Sequence, residues 1–248
     1  MSEARLIAVI PAAGRSVRYR AAGAAAAPAH PDGKLAELLH GRTVLAWSVA
    51  AFLRRADVSE VVVATSDIAS CRALLGELAD DPRLTLTLGG ACRAASVLAG
   101  LQAARTPVTD AAWVAVHDAA RPALSDGLID EVWAAARRWG AAAPALPVTL
   151  TVRTAAGPLP SPAGRTVPRE TLYAMQTPQI ARREVLRRAL EGCAQPLEQV
   201  TDELMALELA GLEAWLVPGE AVNLKVTVPD DLAQLRQCWT PRCGPVAG

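Results

Sequence analysis

Four short β-like runs alternating with helix-length stretches restrict this chain more than any other feature. Leu6-Ile7-Ala8-Val9-Ile10 and Val61-Val62-Val63-Ala64 show no alternation of apolar and polar residues. A strand with one wet face alternates, so a run without alternation is buried on both faces, as in a parallel sheet covered by helices. Leu84-Thr85-Leu86-Thr87-Leu88 and Trp113-Val114-Ala115-Val116-His117 are the third and fourth runs. Between them, Thr43 is placed to cap a helix through Val44, Leu45, Val49, Phe52 and Leu53. Asp126 is placed to cap a second, from Leu128 to Trp139, which Gly140 would end. The expected fold class is α/β: a three-layer α/β/α, Rossmann-like arrangement with a mostly parallel, doubly wound sheet. Ligands in such sheets bind beyond the carboxyl ends of the strands.

The 248 residues, 52% of them hydrophobic, suit one domain over residues 1–240, with a disordered tail at 241–248. No apolar run approaches the ~20 residues of a membrane span. Met1-Ser2-Glu3-Ala4-Arg5 lacks the layout of a signal peptide. Five scattered cysteines without a Cys-x-x-Cys pair disfavour zinc or a disulfide framework and point to a reducing cytoplasm. A formal net charge of zero disfavours a nucleic acid as partner. Two segments break the β/α rhythm. Residues 20–33 form an alanine-rich, proline-punctuated loop. Residues 147–172 alternate Thr and Val around the proline-rich turn at 157–162, which reads as a protruding two-stranded arm. An isolated hairpin is marginal in water, so this arm calls for a partner, most simply a second copy of the chain.

Of the 25 basic side chains only Lys34 and Lys225 are lysine. A lysine is a compact, rotatable point charge where an arginine is a broad fork, so two survivors point to sites needing a small cation, such as phosphates. The segment Pro11-Ala12-Ala13-Gly14-Arg15-Ser16-Val17-Arg18 follows the first strand directly. Its small residues let backbone N–H groups approach a polyphosphate. Gly-x-Gly-x-x-Gly is absent, and Gly33-Lys34-Leu35 lacks both the Ser/Thr and the earlier Gly of a Walker A loop. At the end of the fourth strand, Asp118 and Arg121 in His117-Asp118-Ala119-Ala120-Arg121-Pro122 can hold hydroxyls, a metal or a phosphate, or form a structural salt bridge. His117 reads as a packed polar residue. Ser96 and Thr201 each read either as a ligand contact or as a plain helix cap.

Together these pieces resemble the cytidylyltransferases that activate polyol phosphates, in particular the family acting on 2-C-methyl-D-erythritol 4-phosphate. The resemblance is carried in order by Pro11-Ala12-Ala13-Gly14, Arg18, Lys34, Ser96-Val97-Leu98-Ala99-Gly100-Leu101 and the His117–Pro122 run. Gln176-Thr177-Pro178-Gln179, Thr201-Asp202-Glu203 and Asn223-Leu224-Lys225-Val226-Thr227 complete it. It implies transfer of CMP from CTP to the polyol phosphate, with release of pyrophosphate, in non-mevalonate isoprenoid biosynthesis. By position, Arg18 and Lys34 match the groups on the CTP phosphates, and Arg169 and Lys225 those on the attacking phosphate. Pro11, Ala12, Ala13, Gly14, Gly90 and Ser96 match the CTP pocket; Asp118, Arg121, Thr151 and Thr201 match substrate contacts. Mg²⁺ is expected with the triphosphate, with Asp118 as a candidate ligand. The resemblance also implies a homodimer whose arm enters the neighbouring site. The departures are Ser16, Leu35, Leu150 and a long 20–33 loop. Alternatives are a ribitol-5-phosphate cytidylyltransferase and a weakened CTP-binding paralogue.

Overall fold

The computed structural model describes residues 5–14, 19, 21, 33–107 and 112–241. Residues 20 and 22–32 of the loop expected at 20–33, together with Arg18, Ser16 and residues 242–248 of the tail expected at 241–248, lie outside the described residues.

The unbroken apolar runs become the central strands. β1 (Leu6–Pro11) lies between β4 (Val58–Thr65) and β6 (Trp113–Val116), parallel to both, and β5 (Leu84–Leu88) adds in parallel beyond β4. Beyond β6 the sheet turns mixed. β11 (Gln179–Arg182) runs antiparallel to β6 and to β7 (Ala141–Pro147), while β10 (Tyr173–Met175) is antiparallel and β12 (Trp215–Pro218) parallel to β7. A short hairpin of β2 (Leu38–Leu39) and β3 (Arg42–Thr43) stands apart.

Alternate residues of the central strands feed two separate cores. Leu6, Ala8, Ile10, Val61 and Val63 face one, whereas Ile7, Val9, Val62, Val114 and Val116 face the other. The first core packs under α1 (Val44–Leu53), α2 (Ile68–Leu75), α4 (Asp126–Trp139) and α7 (Pro229–Cys238). The second packs under α3 (Arg93–Ala103), α5 (Arg183–Glu191) and α6 (Glu203–Leu209). This is the expected three-layer α/β/α arrangement on a mostly parallel sheet. Each wholly buried Val, Leu or Ile contributes ~1.5–3 kcal/mol, which is why the stretches at 6–10 and 61–63, which feed both cores, carry no polar residue.

The helix caps divide between expectation and correction. Thr43 caps α1, its hydroxyl accepting from Ala46 N at 3.1 Å. α4 is capped by Ser125, which accepts from Leu128 N at 3.0 Å, and not by Asp126. The Asp126 carboxylate instead pairs with Arg54 at 3.1 Å. α6 is capped by Asp202, accepting from Met205 N at 2.9 Å, and not by Thr201. α3 starts at Arg93 with Cys92 as its cap, so Ser96 lies within the first turn and does not open the helix.

The expected arm is present as β8 (Val152–Ala155) paired antiparallel with β9 (Ala163–Val167). Its strands are largely exposed, with Leu150 at its base 78% and Leu159 at its tip 85% accessible.

Candidate active site

The topology brings the sequence motifs to one edge of the sheet. β4 and β5 extend it to one side of β1, and the chain then crosses over to place β6 on the other. Such a switch of direction opens a crevice at the carboxyl ends of β1 and β6. A cavity of about 360 Å³ lies there. Its floor is Pro11, Ala12, Ala13 and Gly14; Gly90, Cys92, Arg93 and Ser96 form one wall, and Lys34, Asp118 and Lys225 another.

Short-range contacts explain the first wall. Gly90 sits where an added Cβ would lie 2.5 Å from the Ala95 Cβ, so the turn before α3 closes only with glycine. Ser96 Oγ accepts from Gly90 N at 3.1 Å and donates to Cys92 O at 2.8 Å. The Ser96 hydroxyl therefore ties this turn to the helix it precedes.

The other wall is a set of cross-links among distant segments. Ser48 Oγ donates to Ala119 O at 2.9 Å, tying α1 to the loop after β6. Val226 N donates to Ala120 O at 2.8 Å, and Lys34 Nζ to Val226 O at 2.6 Å. Asn223, fully buried, donates through Nδ2 to Thr177 O at 2.8 Å. Gln176 donates through Nε2 to Glu220 O at 2.8 Å and accepts from Glu220 N at 3.1 Å. The Gln176-Thr177-Pro178-Gln179 run is thus a bracket that sets the height of Lys225.

His117 is the packed polar residue the sequence suggests. Arg121 O can only accept, so Nε2, at 3.0 Å from it, carries the proton. Nδ1 then accepts from the Thr177 hydroxyl at 3.0 Å, and Thr177 Oγ1 accepts from Asp118 N at 3.1 Å. Complete burial pushes the imidazole down to about 4, so it is neutral at pH 7.

Asp118 is the electrostatic centre. Its Oδ1 accepts from Arg93 Nε at 3.2 Å, while Oδ2 meets Lys225 Nζ at 2.9 Å and Arg121 Nε at 3.4 Å. Burial pushes its carboxyl up, but Arg93, then Lys225 and Arg121, outweigh burial and hold it far below the usual range. Arg121 is buried behind the cavity, donating to Asn223 O at 2.7 Å and Met175 O at 3.2 Å. Its guanidinium is occupied by the protein, in keeping with the structural salt bridge among the sequence readings.

The residues fit a protein-built magnesium site poorly. Among the described residues no group of three or more His, Cys, Asp or Glu could hold a metal ion. Both Asp118 oxygens already carry cationic donors, so the metal role considered for it has no support in this donor set.

Of the residues singled out in the sequence, Pro11, Ala12, Ala13, Gly14, Lys34, Gly90, Ser96, Asp118 and Lys225 line one cavity. Thr151 and Arg169 do not line it and stand exposed on the arm, where Arg169 donates to Thr149 O. Thr201 is exposed, its N–H and hydroxyl facing Met205 Sδ at 3.4 and 3.6 Å. Arg18 lies outside the described residues. Sequence reasoning overlooked Arg93, which projects from the first turn of α3 onto Asp118. The available signal was a cation at a helix N-terminus, where the dipole disfavours it.

The class that such a fold and site define is the α/β nucleotidyltransferases. The model of the IspD family, 2-C-methyl-D-erythritol 4-phosphate cytidylyltransferase, matches residues 6–238. The chain belongs to this family. It is 41% identical over 238 residues to the enzyme of that name from Bordetella petrii, covering 94% of this chain and 98% of the relative. The Haemophilus influenzae enzyme is 38% identical over 228 residues, covering 92% and 93%. Among solved structures, 2-C-methyl-D-erythritol 4-phosphate cytidylyltransferase from Thermus thermophilus superposes with a TM-score of 0.73 at 34% identity, covering 94% of this chain and 98% of that one. The Francisella tularensis enzyme gives 0.77 at 26%, covering 94% and 99%.

Proposed function

We propose that this cavity transfers CMP from CTP to 2-C-methyl-D-erythritol 4-phosphate, giving the CDP-linked polyol and pyrophosphate. The observation that carries the reading is the convergence of Lys34 and Lys225 on the small-residue loop after β1. These are the two lysines of an otherwise arginine-only chain. In the reaction a phosphate oxygen of the polyol attacks the α-phosphorus of CTP, and the bond to the bridging oxygen breaks with its electron pair leaving on pyrophosphate. Positioning and charge neutralisation dominate such transfers.

Ala12, Ala13, Gly14, Gly90 and Ser96 would surround the nucleoside, and Lys34 with Arg18 would neutralise the CTP phosphates. Lys225 and Arg169 would hold the attacking phosphate, with Asp118 fixing Lys225 and Arg121 fixing Asp118. Thr151 and Arg169 would act from the arm of a second copy, which gives the exposed hairpin a partner. Thr201 would be a substrate contact only at the margin of the site. Mg²⁺ is expected to arrive with the triphosphate, held by its oxygens. The scattered cysteines favour a reducing cytoplasm. Among the described residues no helix is long and apolar enough to cross a membrane.

The relatives named for methylerythritol phosphate favour that acceptor over ribitol 5-phosphate, and favour an active enzyme over a CTP-binding paralogue. CTP-dependent pyrophosphate release, measured with each polyol phosphate and with none, tests the reading. Release with methylerythritol phosphate is the expected result. CTP binding without release for any acceptor would refute it.

A further inference from the structure

Glu203 is fully buried in the first turn of α6 and does not line the cavity. Its carboxylate nevertheless faces Arg93, accepting from Nη1 at 2.7 Å and Nη2 at 3.0 Å. We propose that Glu203 is a positioning residue: by taking both Nη groups of Arg93 it keeps the guanidinium fork off Asp118 and leaves Asp118 to hold Lys225. The inference rests on the reading of the cavity as the site of transfer.

A guanidinium prefers a carboxylate in two-pronged pairing, and two carboxylates lie within reach of Arg93. Glu203 receives the fork, and Asp118 receives only Nε at 3.2 Å. The Asp118 Oδ2 atom is therefore available to Lys225 at 2.9 Å. Without Glu203, a largely desolvated guanidinium disfavoured by the N-terminus of α3 has one carboxylate left, and the fork turns onto Asp118 at the expense of Lys225.

The position of Glu203 is itself fixed. Gln179 Oε1 accepts from Glu203 N and Leu204 N, both at 3.0 Å. Gln179 Nε2 donates at 3.0 Å to Asp202 Oδ2, whose partner oxygen caps α6. The Gln176–Gln179 run thus serves both ends of one chain of contacts. Gln176 seats the segment bearing Lys225, and Gln179 seats Glu203.

The test compares Glu203→Gln with Arg93→Gln and the double variant Arg93→Gln/Glu203→Gln in pyrophosphate release, with folded content checked by circular dichroism. In Glu203→Gln the KM for the polyol phosphate should rise ~10-fold or more, with kcat/KM down by ~10²-fold, the penalty typical of a misplaced group. The KM for CTP should change far less. A merely structural role would reduce the active fraction and leave both KM values alone, which would overturn the proposal. In the double variant no fork remains to compete, so the KM for the polyol phosphate should fall well below that of Glu203→Gln, to the value of Arg93→Gln alone. Failure to recover there would also overturn it, including where Glu203→Gln alone does not fold. A crystal structure of whichever single variant folds, Glu203→Gln or Glu203→Ala, separates this claim from the functional reading. The Arg93 Nη atoms should sit on Asp118 with Lys225 displaced, whether or not the wild type turns over; an unmoved fork would count against Glu203 alone.

Discussion

At the scale of single residues, the two lysines carry most of the consequence. Lys225 owes its place to Asp118, and Lys34 to the carbonyl of Val226. Both contacts suit a compact ammonium, and a planar fork in either place would reach past its acceptor. Lys34→Arg and Lys225→Arg are therefore expected to lose ~10²–10³ in kcat/KM, the usual cost of one preorganised donor, without change in far-ultraviolet circular dichroism. Near-normal rates in both would return the lysines to ordinary surface charge. His117 makes a separate, purely structural prediction. Its imidazole is held neutral with a pKa of about 4, whereas the unfolded chain protonates near 6.5. Unfolding therefore takes up a proton below about pH 6.5, so this residue's contribution is intact above that pH and lost as pH falls toward 4. The loss is on the order of 3 kcal/mol over that window. Urea midpoints at pH 7 and pH 4.5 measure it, and an imidazole titrating near 6.5 in the folded protein would contradict it.

At the scale of elements, the central strands were legible because the stretches at 6–10, 61–63 and 113–116 are buried on both faces and hold only apolar residues. The caps were less so. Ser125 and Asp126 are adjacent candidates, and the choice is made by Arg54, a residue far off in sequence that draws the carboxylate away. Arg93 was missed for the same reason: its partners, Asp118 and Glu203, meet it only in the folded chain. The Ser96–Leu101 segment shows what a motif residue can do without touching a ligand. Gly100 faces β1, where an added Cβ would lie 2.6 Å from Val9 Cγ1. Gly100→Ala gains about 1 kcal/mol of helix propensity yet forces a stiff, buried valine aside, an overpacking cost of about 1–3 kcal/mol. A net loss of stability is expected, reversed by adding Val9→Ala. If Gly100→Ala alone stabilises the protein, the close approach of α3 to the sheet does not constrain this position. The arm tip is the opposite case, an element without internal packing. Deleting residues 157–163 should leave the melting temperature nearly unchanged while weakening use of the polyol phosphate. Unaltered kinetics would remove the arm from the reaction.

At the scale of the whole molecule, the described chain divides the proposed machinery between two places. Lys34, Asp118 and Lys225 converge on the cavity, whereas Thr151 and Arg169 stand exposed on a hairpin that does not line it. A protruding two-stranded ribbon gains little stability on its own, so its retention argues for a surface on which it rests. If that surface is the neighbouring copy, each site is assembled from the pocket of one protomer and the arm of the other. The consequence can be read by mixing two inactive variants. Lys34→Ala spoils the pocket and spares the arm; Arg169→Ala spoils the arm and spares the pocket. In a closed two-fold pair the mixed dimer pairs one intact pocket with one intact arm, so unfolding and refolding an equimolar mixture should restore roughly a quarter of wild-type activity. Neither variant alone should recover under the same treatment. An arm acting on its own protomer predicts no recovery, because each chain would then carry its defect into its own site. Sedimentation of the mixture distinguishes that outcome from a failure to exchange. Dimers that demonstrably exchange subunits yet stay inactive would place Arg169 at the site of its own protomer and end the reading of a site shared between two copies.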